Sequence, residues 1–153
     1  CNKVTVNEEE PQTEYSCSGT PVDCVKLAVN EILKRKPDLC VSGINHGSNS
    51  SINVIYSGTM SAAVEAGTIG IPSIGFSLLD YSLEANFEPA KKYVKLMVEQ
   101  CLEQGLPKGV VLNVNIPKLP ESKIKGIKVC RQADAHWEET FDKRKSPLGK
   151  DYY

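Results

Sequence analysis

Asp38-Leu39-Cys40-Val41-Ser42-Gly43-Ile44-Asn45-His46-Gly47-Ser48-Asn49, followed through Ser50 to Tyr56 by Ser57-Gly58-Thr59-Met60, decides the fold of this chain. Asp38 to Ser42 is a short apolar run behind a helix, which fits a buried parallel strand. Gly43 to about Tyr56 is a loop rich in small and polar residues. A helix then starts near Ser57-Gly58-Thr59 and runs through Met60, Ala63, Val64 and Ala66, with Gly67 and Gly70 marking its end.

The flanks repeat the same alternation. Upstream, Thr20-Pro21-Val22-Asp23 is a helix start: Thr20 suits the N-cap, Pro21 the first helical position, and Asp23 closes a capping box. Val25, Val29, Ile32 and Leu33 recur at helical spacing, Lys34-Arg35-Lys36 fall in the expected last turn, and Pro37 stops it. Downstream, Ile71 to Leu79 reads as a buried strand with Pro72 tolerated near its start. Phe87, Ala90, Tyr93, Val94, Met97, Val98, Cys101 and Leu102 form one helical face, and Gly105 ends it. Gly109 to Pro117 is another buried strand, and Ile124 to Arg131 a further, alternating one. Two short strands, Lys3 to Val6 and Glu14 to Cys17, open the chain around a solvated Glu8-Glu9-Glu10-Pro11 turn. The tail after Gln132 is polar and aromatic without period. Strands alternating with helices predict one α/β domain over residues 1–153. That order means a parallel sheet with crossover helices on its faces, connected right-handedly.

Composition agrees with a globular domain. The chain has 153 residues, 41% hydrophobic and 24% charged. Its 18 Lys and Arg against 19 Asp and Glu give a net charge of −1, so no global basic field draws it to nucleic acid polymers or anionic membranes. No apolar run approaches the roughly 20 residues of a transmembrane helix. None of the six cysteines forms a C-x-x-C pair. Cys24, Cys40, Cys101 and Cys130 fall inside expected elements, where reduced Cys serves as a small core residue, and a cytoplasmic setting is expected. The chain starts on Cys1 within a strand-like stretch and stops at Asp151-Tyr152-Tyr153, which reads as part of a longer protein with segments missing at both ends.

In open α/β sheets ligands bind outside the carboxyl ends of the strands, so the loop after Ser42 is the first candidate site. Gly43 and Gly47 admit close backbone approach, and the N–H groups of the next helix face the loop with a positive dipole end. Asn side chains offer oxygen to a hard cation and N–H to a phosphate. A phosphate, together with a metal, suits this chemistry; an ordinary turn-and-cap loop is the plainer alternative. No G-x-x-x-x-G-K-[ST], G-x-G-x-x-G after a strand, H-E-x-x-H or G-x-S-x-G occurs, which removes the standard nucleoside-triphosphatase, dinucleotide, zincin and α/β-hydrolase readings.

The run from Pro37 to Asn49, then Val54-Ile55-Tyr56-Ser57-Gly58-Thr59 with Ala62-Ala63, closely resembles the SurE family of survival-protein-E acid phosphatases and 5′/3′-nucleotidases. Gly19 to Val25, Gly70 to Ile74, Leu112 to Pro117 and Lys125 to Val129 agree with it in order. The resemblance implies a Rossmann-like, three-layer α/β domain with a mostly parallel sheet, and hydrolysis of nucleoside 5′- and 3′-monophosphates with a divalent cation, Mg²⁺ or Mn²⁺, in a homodimer or homotetramer. It implies that Asn45 is a metal ligand and that Asn49, Ser57, Gly58 and Thr59 bind the substrate phosphate. The family's other metal ligands, two adjacent Asp in an Asn-Asp-Asp-Gly motif and a Ser in a later loop, have no counterpart here. These 153 residues alone are therefore expected to bind metal weakly and turn over little, or to act as a phosphate- or nucleotide-binding fragment. A fragment that completes a partner's sheet is the third class.

Other residues read as structural first. His46 is expected to be a solvent-facing loop histidine, with a proton-donor role as the alternative. His136 beside Trp137 could stack on a base, but fits an irregular tail better. Asp80 and Glu84 are expected in a solvated loop, Asp23 and Glu65 as structural helix residues, and Lys143-Arg144-Lys145 on a solvated surface.

Overall fold

The computed structural model describes residues 1–4 and 13–153. The elements are β1 (Asn2–Val4), β2 (Glu14–Ser16), α1 (Pro21–Leu27), β3 (Cys40–His46), α2 (Gly58–Thr68), β4 (Ser73–Leu79), α3 (Glu88–Gln104), β5 (Val111–Pro117), β6 (Arg144–Lys145) and β7 (Asp151–Tyr152). β1 pairs antiparallel with β2, and β6 with β7. The expected strand residues at positions 5 and 6, and the Glu8–Pro11 turn, lie outside the described residues.

The central sheet is parallel throughout, in the order β3-β4-β5. β4 shows why its sequence alternates small and large. Ser73, Gly75 and Ser77 occupy one face, where a Cβ on Gly75 would come within 2.3 Å of the Met60 sulfur. That face takes α2 at close range through buried Ala62, Ala63 and Ala66. Ile74, Phe76 and Leu78 occupy the other face and build the core with Ala90 and Cys101 of α3 and Ile116 of β5. Fully burying a side chain such as Phe76 contributes about 1.5–3 kcal/mol.

The three-layer α/β architecture is as expected, with one correction. The two crossovers, through α2 and through α3, step across the sheet in the same direction, yet their helices pack on opposite faces. Two such connections cannot share a hand, so the rule of right-handed crossovers fails at one of them. β4 between them is buried on both faces, under α2 on one and α3 on the other.

Other departures are local. The first helix ends in a wide turn over Ala28–Ile32, where Leu33 N–H reaches Ala28 O at 2.8 Å, so Lys34-Arg35-Lys36 follow the helix rather than close it. Arg35 instead pairs with Asp38 at 2.8 Å. Leu102 points outward, while the rest of the expected α3 face packs on the core. The segment expected as a strand from Ile124 to Arg131 carries no strand pairing among the described residues. Among the four cysteines expected in the core, Cys101 is buried and Cys40 half-buried, but Cys24 and Cys130 are exposed. Burial pushes the thiol pKa of Cys40 and Cys101 up.

Candidate phosphate-binding site

β3 carries the first site residue, and a bulge aims it. Ser42 pairs with Gly75 and Asn45 with Ser77, so three steps along β3 match two along β4. Side chains alternate faces along a strand, so the extra residue turns Asn45 onto the face of Gly75 and Ser77, under α2. Gly43 sits at this irregularity with φ +118°, and a Cβ there would lie 2.5 Å from the Phe76 carbonyl oxygen, so only glycine fits.

The orientation of the Asn45 amide follows from its neighbours. Its Nδ2 donates to His46 O at 2.8 Å, Gly47 O at 3.1 Å and Asn49 Oδ1 at 3.4 Å. Three oxygens around one atom identify it as the nitrogen. Oδ1 is thereby turned toward α2, where Thr59 Oγ1 donates to it at 3.4 Å.

α2 meets this oxygen with its N-terminus. Ser57 is the N-cap, and its Oγ accepts from Met60 N–H at 3.1 Å. That bond satisfies one of the unpaired first-turn donors and leaves the N–H groups of Gly58 and Thr59 at the positive end of the helix. Gly58 lies against Pro21, whose Cγ would be 3.2 Å from a Cβ there. Pro21 is set in turn by the expected capping box, in which Thr20 N–H donates to Asp23 Oδ2 at 2.8 Å and Asp23 N–H to Thr20 Oγ1 at 3.3 Å.

The loop between them is tied down from the rest of the sheet. Gly47 N–H donates to Leu78 O at 2.8 Å and Asp80 O at 3.1 Å. Ser48 N–H donates to Tyr81 Oη at 3.0 Å. Asn49 N–H donates to Asn115 Oδ1 at 2.9 Å, and Asn49 O accepts from Asn113 Nδ2 at 2.8 Å. Asn49 is 3% exposed, and its Nδ2 has no hydrogen-bond partner among the described residues. A buried donor without an acceptor costs free energy unless a ligand or ordered water takes it, and an anion oxygen would.

Asn45, Asn49, Ser57, Gly58 and Thr59 thus gather at one end of α2, linked through Asn45. The cation implied for the site is a different matter. Asn45 Oδ1 is one neutral oxygen, and among the described residues no group of three or more His, Cys, Asp or Glu could hold a metal. A hard divalent cation takes about six oxygen ligands, usually with carboxylates, so these residues alone do not make its centre.

Asp80 departs from the solvated loop expected for it. It is 6% exposed, accepts from Ser82 N–H at 3.0 Å, and pairs with Lys118 at 2.9 Å. Its carboxyl pKa is lowered to about 2, first by the Lys118 hydrogen bond and then by the Ser82 N–H. Glu84 is exposed. His46 is exposed as expected, with its ring edge-on to Phe87 at a centroid distance of 4.8 Å. His136 and Trp137 are exposed in the tail, and Lys143 and Arg144 pair with Asp151 and Asp142.

Sequence reasoning did not single out Tyr81, Asn113 and Asn115. A signal existed for the last two: paired Asn two residues apart in an otherwise apolar parallel strand place two amides on one face.

The sequence and the fold have known relatives. The family model described as "Survival protein SurE" matches residues 2–139. The chain belongs to the SurE family. It is 72% identical over all of its 153 residues to "5'-nucleotidase SurE" of Christiangramia forsetii, and covers 59% of that protein. It is 59% identical over 140 residues to the protein of the same name from Cytophaga hutchinsonii, 91% of this chain and 54% of that one. The crystal structure of the SurE protein from Aquifex aeolicus superposes with a TM-score of 0.76 at 44% identity, covering 88% of this chain and 54% of that chain. The chain therefore spans a little over half the length of these SurE relatives, and it carries their α/β fold. No helix among the described residues is long and apolar enough to cross a membrane.

Proposed function

We propose that these residues form the phosphate-binding half of a metal-dependent phosphomonoesterase acting on nucleoside 5′- and 3′-monophosphates. The observation that carries this reading is the buried Asn49 amide donor without an acceptor among the described residues. It lies in a loop joined through Asn45 to the uncapped N–H groups of α2. The Asn49 Nδ2 and the N–H groups of Gly58 and Thr59 offer hydrogen to an anion. The names of the similar proteins supply the substrate class.

In this reading Asn49, the Ser57 and Thr59 hydroxyls, and the N–H groups of Gly58 and Thr59 hold the phosphoryl oxygens. Ser57 keeps the helix end open by capping Met60. Donors fixed before the reaction stabilise the equatorial charge of an in-line displacement by water. Asn45 Oδ1 would supply one oxygen to Mg²⁺ or Mn²⁺, whose other ligands would come from outside the described residues. A homodimer or homotetramer is the proposed assembly, supported by the exposed apolar side chains of the tail, Val129, Phe141 and Leu148 among them.

The test is phosphate release from a nucleoside monophosphate by the natural polypeptide that contains these residues, compared with Asn49→Ala and Thr59→Val. The expected result is release that falls in both variants through a higher KM. Unaltered KM in both would overturn the assignment. Nucleotide binding without release would favour the alternative of a binding module.

A further inference from the structure

Two residues outside the proposed contact set hold its most buried member by the backbone. Asn113 and Asn115 stand two apart on β5, in register with Gly75 and Ser77. They therefore share the face that α2 and Asn45 occupy. Asn115 Oδ1 accepts from Asn49 N–H at 2.9 Å, and Asn113 Nδ2 donates to Asn49 O at 2.8 Å. Asn115 Nδ2 donates to Asn113 Oδ1 at 3.0 Å, which fixes both amide orientations. Ser48 Oγ adds a donor to Asn115 Oδ1 at 3.4 Å. Both backbone groups of one loop residue are thus paired by side chains of a strand more than sixty residues away in sequence.

This geometry does what a neighbouring strand would do for a single residue. The Asn49 backbone is given a donor and an acceptor at fixed positions. Most side-chain hydrogen bonds go to backbone, but a pair that takes the N–H and the C=O of the same residue fixes its φ and ψ together. The side chain so held is the one whose Nδ2 has no partner among the described residues.

We infer that Asn113 and Asn115 are positioning residues for phosphate binding, acting through the Asn49 backbone to aim its side-chain amide at a phosphoryl oxygen. This rests on the reading of Asn49 as a phosphate contact. Neither residue touches substrate. Loss of the clamp weakens binding through reorientation of Asn49, so its effect vanishes when the Asn49 amide is already gone.

The test is a double-mutant cycle in the natural polypeptide, with Asn49→Ala, Asn115→Leu and the pair, read as KM and kcat for a nucleoside monophosphate and as Ki for inorganic phosphate. Asn115→Leu is expected to raise KM and Ki about tenfold, the scale of one to two hydrogen bonds, with a smaller change in kcat. In the Asn49→Ala background it is expected to add less than twofold. Asn113→Ser, a milder change, keeps the test open if Asn115→Leu fails to fold; it is expected to raise KM in the same direction and to lose that effect beside Asn49→Ala. A merely structural role would lower Tm and the active fraction with KM unchanged, and that result would overturn the inference. Multiplying effects of Asn49→Ala and the clamp variant would overturn it too. Absence of phosphate release and of phosphate binding by the wild type would instead overturn the functional reading, and the clamp's role with it.

Discussion

Asn45 lies opposite Ser77 across the β3–β4 ladder although Ser42, three residues earlier, lies opposite Gly75. The one-residue mismatch puts an amide that would otherwise face the α3 core on the side of α2. The site depends on that bulge more than on any single hydrogen bond, because it decides which layer of the fold receives Asn45.

Exchange of the two partners across the 3.4 Å contact between Thr59 and Asn45 should separate their roles. In the natural polypeptide, Asn45→Ala is expected to raise the Mn²⁺ concentration needed for half-maximal phosphate release more than it raises KM. Thr59→Val is expected to raise KM about tenfold, the scale of one hydrogen bond to a charged group, with little change in metal requirement. Metal titrations at saturating substrate check both.

Removal of the helix cap tests the end of α2 itself. Ser57 is 8% exposed and its hydroxyl accepts the Met60 N–H. Ser57→Ala is expected to cost about 1 kcal/mol of stability, and Ser57→Asp to retain most of it, by urea denaturation. KM should rise in Ser57→Asp despite the retained cap, because a carboxylate now competes with phosphate at the helix end.

The Asp80–Lys118 pair gives the fold an acid-side dependence. Asp80 in the folded chain has a pKa of about 2, below the ordinary carboxylate value near 3.8. A depressed pKa means that the folded state binds fewer protons, so the contribution is present above the unfolded value and is lost as pH falls through the window from about 4 to about 2. Asp80→Asn is expected to flatten the fall of Tm in that window and leave its shape above pH 5 unaltered. Thermal melts at half-unit pH intervals check it.

The 153-residue polypeptide taken alone should bind Mn²⁺ weakly and release little phosphate, because its described residues offer Asn45 Oδ1 without a carboxylate cluster. Calorimetric titration with Mn²⁺, and phosphate release at the same concentrations, check this. Tight binding with turnover would show a cation centre built from these residues.

Much of the fold was legible in the chain's order. The capping box at Thr20 and Asp23, the apolar face of α3 and the buried run of β4 each follow from local patterns that tertiary packing left intact. The handedness of one crossover was not legible, because it depends on which face of β4 each helix covers. The strand expected from Ile124 to Arg131 was misread because alternation alone provides no partner for its backbone groups.

The candidate site divides in the same way. Asn49 and Ser57 to Thr59 fall in a loop and helix start whose residue types suit a phosphate, while the role of each, and of Asn45 as a metal ligand, comes only with the family resemblance. Asn113, Asn115 and Tyr81 reach the loop from other strands and turns, across contacts that only the folded sheet creates. Asp80 reads as a solvated residue in sequence because its partner, Lys118, is supplied by the end of the next strand.

The central claim is that this loop and helix end hold a nucleotide's phosphate for metal-dependent hydrolysis. Phosphate release from AMP by the natural polypeptide that contains these residues, with Mn²⁺ and after its removal by a chelator, tests it most directly. The account predicts release with the metal, near-complete loss without it, and recovery on adding Mn²⁺ back. Equal release with and without metal, or none in either case, would contradict it.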